Sequence, residues 1–345
     1  MEHFYEGWSG LPHVLAEFKG KAAVVVTDDT VAKLHLDYVA AELETIFSRV
    51  FVAKAEGEET KSFAALETLL NAFSANDLRR DDVVISLGGG GISDLAGLAA
   101  SLYMRGIAHV VLPTTLLAMA DSSMGGKTAI DFAGRKNLVG TYHAPAAIYA
   151  NLAALETLAD VEYISGLAEM IKYGIIHSRP LFDDIWRLRE KIAARSLAVL
   201  KPLLVECARI KFHFAQEAGK DSGPRLLLNY GHTFGHAIET VCGFKIPHGH
   251  AVGLGMVCAA AFSRNMGGMA AEDVERIKKM LQYFGLPTLF PGKYGGPRDI
   301  LQKMWDDKKV ADGGLVLIIA DDIGGAYVMK NADEAAALLA IHEIF

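Results

Sequence analysis

The chain has 345 residues, 51% apolar and 22% charged, with 34 basic against 41 acidic side chains for a net charge of −7. A single hydrophobic core rarely serves so long a chain, so two domains are expected. The acidic balance excludes a nucleic-acid protein working through a global positive field, but not a small anionic substrate held by a few local cations. The cysteines Cys207, Cys242 and Cys258 are scattered, with no CxxC pair, which fits a reducing compartment. The opening MEHFYEGWSG lacks the basic-then-apolar build of a signal peptide, and no apolar run reaches membrane-spanning length. A cytoplasmic protein without a membrane partner is expected.

In the first half, short Val- and Ile-rich runs at 21–27, 49–55, 82–87 and 109–112 predict buried strands. Helical patterns over 31–46 and 63–74 separate them. This alternation points to a mainly parallel sheet covered on both faces. Beyond about residue 150 long helical segments take over, at 161–177, 180–213, 232–242, 250–266 and 272–284, and one strand-like run follows at 314–319. The expected architecture is an α/β N-terminal domain, 1–157, and a mostly helical C-terminal domain, 158–345, with the active site in the cleft between them.

The strand ending at Leu87 runs into Gly88-Gly89-Gly90-Gly91-Ile92-Ser93-Asp94, with a helix expected from Leu95. Glycines at a strand-to-helix turn let backbone N–H groups approach a phosphate. The spacing is not GxGxxG, and a tight turn is the plainer alternative. Asp94 stands where a helix cap would, or where a ribose or nicotinamide group could be held. The segments from Asp121 to Lys127 and from Gly134 to Asn137 read as Gly-rich loops suited to a phosphorylated, hydroxylated ligand. In the second half, Asn229-Tyr230-Gly231-His232-Thr233-Phe234-Gly235-His236 opens a helix, and His248-Gly249-His250 follows. His232 and His236 share a helix face, and upstream Glu169 and Lys172 share another. Two imidazoles and a carboxylate would make an open three-ligand zinc site. From spacing alone His232, His236, His248 and His250 are all candidates, and no HExxH base is present.

Together, LGGGGISD, YMRG, PTTLLAMADSSMGGKT, GRKNLVG, GLAEMIKYG, RLLLNYGHTFGHAIE and HGHAVGLGM resemble the 3-dehydroquinate synthase family of sugar phosphate cyclases over nearly the whole chain. The resemblance implies a dehydroquinate synthase-like fold, with a Rossmann-like α/β N-terminal domain and an all-α C-terminal domain, bound NAD, one divalent metal (Zn2+ or Co2+) and a homodimer. It implies Glu169, His232 and His248 as metal ligands. Lys127, Asn137, Lys172 and His236 would meet the substrate phosphate, with Arg105 reaching across from the other subunit. Lys211 and Arg225 would hold the carboxylate, Asp121 and Asn229 the hydroxyls, and one lysine of the Lys308-Lys309 pair, Lys308 by preference, would close over the site. The nucleotide would meet Asp28, Glu58, Lys61, Gly89, Gly90, Asp94, Thr114, Thr115, Asp121, Lys136 and Thr157.

The implied reaction converts 3-deoxy-D-arabino-heptulosonate 7-phosphate to 3-dehydroquinate and phosphate. It runs through transient oxidation by NAD, β-elimination, re-reduction and aldol closure, with Lys127, Asn137, Glu169, Lys172 and His236 as the catalytic set. The alternatives are a sister cyclase such as aminodehydroquinate synthase, a metal-dependent polyol dehydrogenase that would release NADH, and an inactive metal- and nucleotide-binding regulator. The chain departs from the family pattern at His250, where Glu is usual.

Overall fold

The computed structural model describes residues 4–55, 61–216, 223–305 and 314–345, so Glu58 and Lys308 lie outside the described residues. The chain divides into two units, Met1–Ala159 and Asp160–Phe345.

The first unit contains β1 (Phe4–Tyr5), β2 (Ala22–Thr27), β3 (Arg49–Lys54), β4 (Val83–Gly88), β5 (Ala108–Pro113), β6 (Lys127–Phe132), β7 (Arg135–Tyr142), β8 (Ala147–Ile148) and β9 (Ala150–Asn151). Five strands form a parallel sheet in the order β3-β2-β4-β5-β8. Alternate residues of β2 serve opposite faces. Val24 and Val26 pack with Leu66, Leu69, Phe73, Leu95 and Ala99, whereas Ala23 and Val25 pack with Leu11, Leu15, Val39 and Leu43. Central strands buried on both faces are therefore almost wholly apolar, which is why they are legible as short Val/Ile runs. The chain steps outward from β2 to β3, then returns to place β4 on the other side of β2. The crevice above the carboxyl ends of β2 and β4 is the position where open α/β sheets take ligands.

Two local expectations are corrected in this unit. The helix after β4 spans Gly90–Leu102, five residues earlier than expected, so its first turn is built from glycine. Asp94 is consequently inside the helix and is not its cap. The stretch from Lys127 to Asn137 is an antiparallel β6–β7 hairpin rather than a pair of loops. Its turn, Ala133-Gly134, has φ +51° and +72°, the two positive values that a tight hairpin turn requires. Ala in place of the usual Asn or Asp, and the polar GRKN tip, disguise it in the sequence.

The second unit is helical, with one antiparallel hairpin of β10 (Leu317–Asp322) and β11 (Gly325–Met329). The segment expected as one helix over 180–213 is three: Arg179–Arg187, Arg189–Ala193 and Leu197–Gln216. The breaks fall at Leu188, with φ −98° and ψ 6°, and at Arg195, whose φ of +56° no right-handed α-helix can contain. The helix expected from His250 begins at His248.

Three helices make the centre of this unit: Asp160–Ile176, His232–Val241 and His248–Asn265. Glycine lets them approach to backbone contact. A Cβ on Gly249 would lie 2.0 Å from the Ser165 carbonyl oxygen, and one on Gly255 would lie 2.0 Å from the Gly231 carbonyl oxygen. The Gly249 N–H also donates to Ser165 Oγ at 2.9 Å. No described helix is long and apolar enough to cross a membrane.

Candidate active site

Close helix packing brings Glu169, His232 and His248 together. Glu169 lies in the middle of the first of these helices, while each histidine is the first residue of its own. Glu169 Oε1 is 3.4 Å from His232 Nε2 and 3.5 Å from His248 Nε2, and all three donor atoms lie within 4.8 Å of one another. Ligands about 2.0–2.1 Å from a tetrahedral zinc stand roughly 3.3–3.4 Å apart, so this spacing fits a divalent cation.

The tautomers fit too. His232 Nδ1–H donates to the Tyr230 carbonyl at 3.0 Å, leaving the Nε2 lone pair toward Glu169. The Tyr230 carbonyl is presented by the turn at Gly231, whose φ is +75°.

Charge sharpens the case. Glu169 is buried and ion-paired with the equally buried Lys172. Burial raises the Glu169 pKa, but Lys172 and His232 outweigh it and hold the carboxyl well below its usual range. Burial takes His232 down to about 4, with Glu169 only partly opposing. Burial also pulls His248 down, yet hydrogen bonds to Glu169 and Glu239 overcome it and leave it at about 9. The cluster thus gathers one carboxylate and two imidazoles, a donor set chemically suited to a divalent ion.

The remaining expected residues are distributed as follows. His236 stands one turn from His232, with ring centroids 5.4 Å apart, and groups instead with Glu239 and His248. His250 joins neither group of candidate ligands; two residues along the helix from His248, it faces away. Lys211 and Arg225 are buried cations, 8% and 7% exposed, and Asn229 is half-buried. Glu239, which the sequence reading passed over, is 1% exposed and lies 3.3 Å from His248 Nδ1. Its signal was its spacing, i+3 from His236 and i+7 from His232 on one helix.

In the first unit, Asp28 follows β2 and caps the next helix, its Oδ1 accepting from the Val31 N–H at 2.9 Å. Gly89 and Gly90 follow β4 across the crevice. A Cβ on Gly89 would sit 3.0 Å from Thr115 Cγ2, and one on Gly90 would sit 2.9 Å from Ser122 Oγ. This bare helix N-terminus at the switch of strand order is the cradle a dinucleotide pyrophosphate needs. Thr114 is buried after β5, and the Thr115 hydroxyl accepts from the Ala118 N–H at 3.2 Å.

Lys61 Nζ bonds both Asp94, at 2.5 Å, and the Asn137 side-chain oxygen. Burial pushes the Asp94 carboxyl up against the pull of that lysine. Asn137 sits in β7 with φ +53°, and its N–H donates to Asp131 Oδ1 at 2.8 Å. Lys127, Lys136 and Arg105 are exposed, and Asp121 is half-buried. Arg105 stands in a turn where Met104, Arg105 and Gly106 all have positive φ. The Thr157 hydroxyl is engaged locally, 3.1 Å from the Ala154 carbonyl and 3.2 Å from His35 Nε2.

Comparison with known proteins identifies the family. The family model described as 3-dehydroquinate synthase N-terminal matches residues 51–165, and the C-terminal one matches 166–310. A 3-dehydroquinate synthase of Geobacter metallireducens is 38% identical over 91% of this chain and 87% of its own, and one of Xylella fastidiosa is 41% identical over 94% and 90%. Among solved structures, 2-epi-5-epi-valiolone synthase from Streptomyces hygroscopicus, with NAD+ and Zn2+ bound, superposes with a TM-score of 0.90 at 24% identity, covering 99% of this chain and 95% of that one. A 2-deoxy-scyllo-inosose synthase complexed with carbaglucose-6-phosphate, NAD+ and Co2+ gives 0.89 at 24%, covering 99% and 96%. A glycerol dehydrogenase from Schizosaccharomyces pombe gives 0.70 at 14%, covering 99% and 88%. The structures share the fold, and the family models and sequence relatives, spanning both units, decide the membership: the chain belongs to the 3-dehydroquinate synthase family.

Proposed function

We propose that the protein is a 3-dehydroquinate synthase, a phosphate-eliminating carbon–oxygen lyase acting on 3-deoxy-D-arabino-heptulosonate 7-phosphate in the shikimate pathway. The observation that carries this reading is the convergence of Glu169, His232 and His248 at ligand spacing in a chain of this family. NAD, held on the Gly89–Gly90 cradle with Asp28, Lys61, Asp94, Thr114, Thr115 and Lys136 around it, and a divalent metal, Zn2+ or Co2+, on the cluster would supply reversible hydride transfer and polarisation of the substrate hydroxyls. Thr157, whose hydroxyl lies 3.1 Å from the Ala154 carbonyl and 3.2 Å from His35 Nε2, completes the proposed nucleotide contacts.

The chain's own residues bind and orient. Lys211 and Arg225 clamp the carboxylate, and Asp121 and Asn229 receive hydroxyls. Lys127, Asn137, Lys172 and His236, with Arg105 from a second subunit of a homodimer, surround the phosphate. Fixing a doubly anionic substrate by both ends limits the conformers that can react. Once C5 is a ketone, the C6 proton is acidic, and phosphate leaves as the C6–H and C7–O bonds break. The cations stabilise the departing phosphate and turn one of its oxygens toward C6 to take the proton. Lys172, neutralising Glu169, keeps the metal ligand a carboxylate. A cytoplasmic site of action goes with this reading.

The test is phosphate release from the heptulosonate phosphate with NAD and Zn2+, with NADH absorbance followed and EDTA-stripped protein as control. Stoichiometric phosphate without lasting NADH, abolished by stripping, is expected. Accumulating NADH without phosphate would instead indicate a polyol dehydrogenase. A product other than 3-dehydroquinate would indicate a sister cyclase.

A further inference from the structure

Glu239 belongs to none of the residue sets assigned above to metal, substrate or nucleotide, yet it is one of the most deeply buried carboxylates of the second unit. Its Oε2 lies 3.3 Å from His248 Nδ1. A carboxylate only accepts, so this bond requires the proton on Nδ1. A neutral imidazole so protonated has its lone pair on Nε2, and that nitrogen is the one 3.5 Å from Glu169 Oε1.

We infer that Glu239 is a positioning residue of the metal centre: it sets the tautomer and ring plane of His248 and thereby aims Nε2 at the point shared with Glu169 and His232. The inference rests on the metal-centre reading given above. It is sharpened by the different ways in which the two histidines are held. His232 is oriented by a backbone carbonyl, that of Tyr230, which no side-chain substitution removes. His248 is oriented by a side chain from a neighbouring helix, and its own side chain is 31% exposed against 10% for His232. Packing therefore restrains His248 less, and the burden falls on Glu239. Partners of this kind, one shell behind the ligands, fix ligand orientation and basicity in many metal sites.

The same geometry admits a competitor, because His236, Glu239 and His248 also offer donors within 4.8 Å of one another. A second cation there would need His248 Nδ1 stripped of its proton. With Nε2 already turned to Glu169, a cation on Nδ1 as well would require His248 as a bridging imidazolate, which favours the positioning role.

Full-length protein, metal-free, is titrated with Co2+ against a competing chelator, with the visible Co2+ spectrum recorded for wild type, Glu239→Gln, Glu239→Ala and Glu239→Met. Wild type is expected to take one equivalent. Removing the acceptor in Glu239→Ala should weaken Co2+ about 10- to 100-fold and change the spectrum. Glu239→Met fills the volume without an acceptor and should behave alike, which covers the case of an Ala variant that does not fold. Glu239→Gln keeps an oxygen for Nδ1–H and should retain affinity within about 10-fold of wild type. Wild-type affinity and spectrum in Glu239→Ala and Glu239→Met, with only a lower melting temperature of the metal-free protein, would reduce Glu239 to a structural group and overturn the inference. A second equivalent in wild type that the variants lose would overturn it in favour of a second cation site. Failure of wild type to bind Co2+ at all would overturn the metal-centre reading beneath it.

Discussion

His109 lies in β5 with Nε2 2.9 Å from Ser86 Oγ, and burial, aided slightly by His143, pushes its pKa down to about 3. In the unfolded chain the same imidazole titrates near 6.5. Between those values the unfolded state binds a proton that the folded state refuses. The stability is therefore complete above about pH 6.5 and is lost as pH falls through the window, by about 1.4 kcal/mol per pH unit. Urea unfolding at pH 7 and pH 5 should show wild type losing about 2 kcal/mol more than His109→Gln over that interval. Equal losses would mean that the acid sensitivity arises elsewhere. A second residue-scale expectation concerns Arg225, assigned to the substrate carboxylate. Arg225→Ala should raise KM roughly 10- to 100-fold, the worth of a charge-assisted hydrogen bond, while zinc content stays at the wild-type level. Zinc loss instead would mean that the clamp and the metal site are not separate.

At the scale of elements, the site depends on how closely three helices approach. Gly249→Ala places a methyl group 2.0 Å from the Ser165 carbonyl oxygen, and neither backbone can yield without shifting the helix that starts with His248. We expect a loss of about 1–3 kcal/mol or more in stability together with weakened zinc binding, read by thermal melts and metal titration. Gly253→Ala, on the same helix, meets nothing nearer than 3.6 Å and should be neutral or slightly stabilising in both measurements.

Elements differ in how far the sequence discloses them. The runs that became β2, β4 and β5 were legible because strands buried on both faces are almost wholly apolar, and the edge strand β3 because of its Val and Phe content. The β6–β7 hairpin was not, because its turn uses Ala133-Gly134 and its outer residues are polar. The division of 180–213 into three helices hangs on backbone angles at Leu188 and Arg195, residues whose chemistry announces nothing. Likewise the histidine cluster was visible as His232 and His236 on one face, but spacing could not separate them from His248 and His250.

For the molecule as a whole, chelation should abolish phosphate release and leave far-ultraviolet circular dichroism unchanged. That constancy is expected from the buried faces of the helices that carry the candidate ligands, such as the wholly buried Leu254, Met256, Val257 and Phe262 of the helix from His248. Adding back Zn2+ at about 100 times its dissociation constant should stabilise the fold by about 2.7 kcal/mol, seen as a higher melting temperature. A helical collapse on chelation would show that the metal organises the unit.

The amino-acid sequence by itself determined the strand runs, the glycine tetrad at the first β–α turn, the abundance of histidine near 232–250 and, through ordered motifs, the family. Those are properties of local composition and spacing, which burial patterns and backbone freedom write directly into residue types. Only the tertiary structure decided that Glu169, His232 and His248 share one point, that His250 turns away, and that Glu239 stands behind His248. The first depends on the crossing of helices far apart in sequence, the second on where a helix begins and the third on how two neighbouring helices meet. The glycines that permit the crossing reveal their purpose only when the opposing carbonyl is in place.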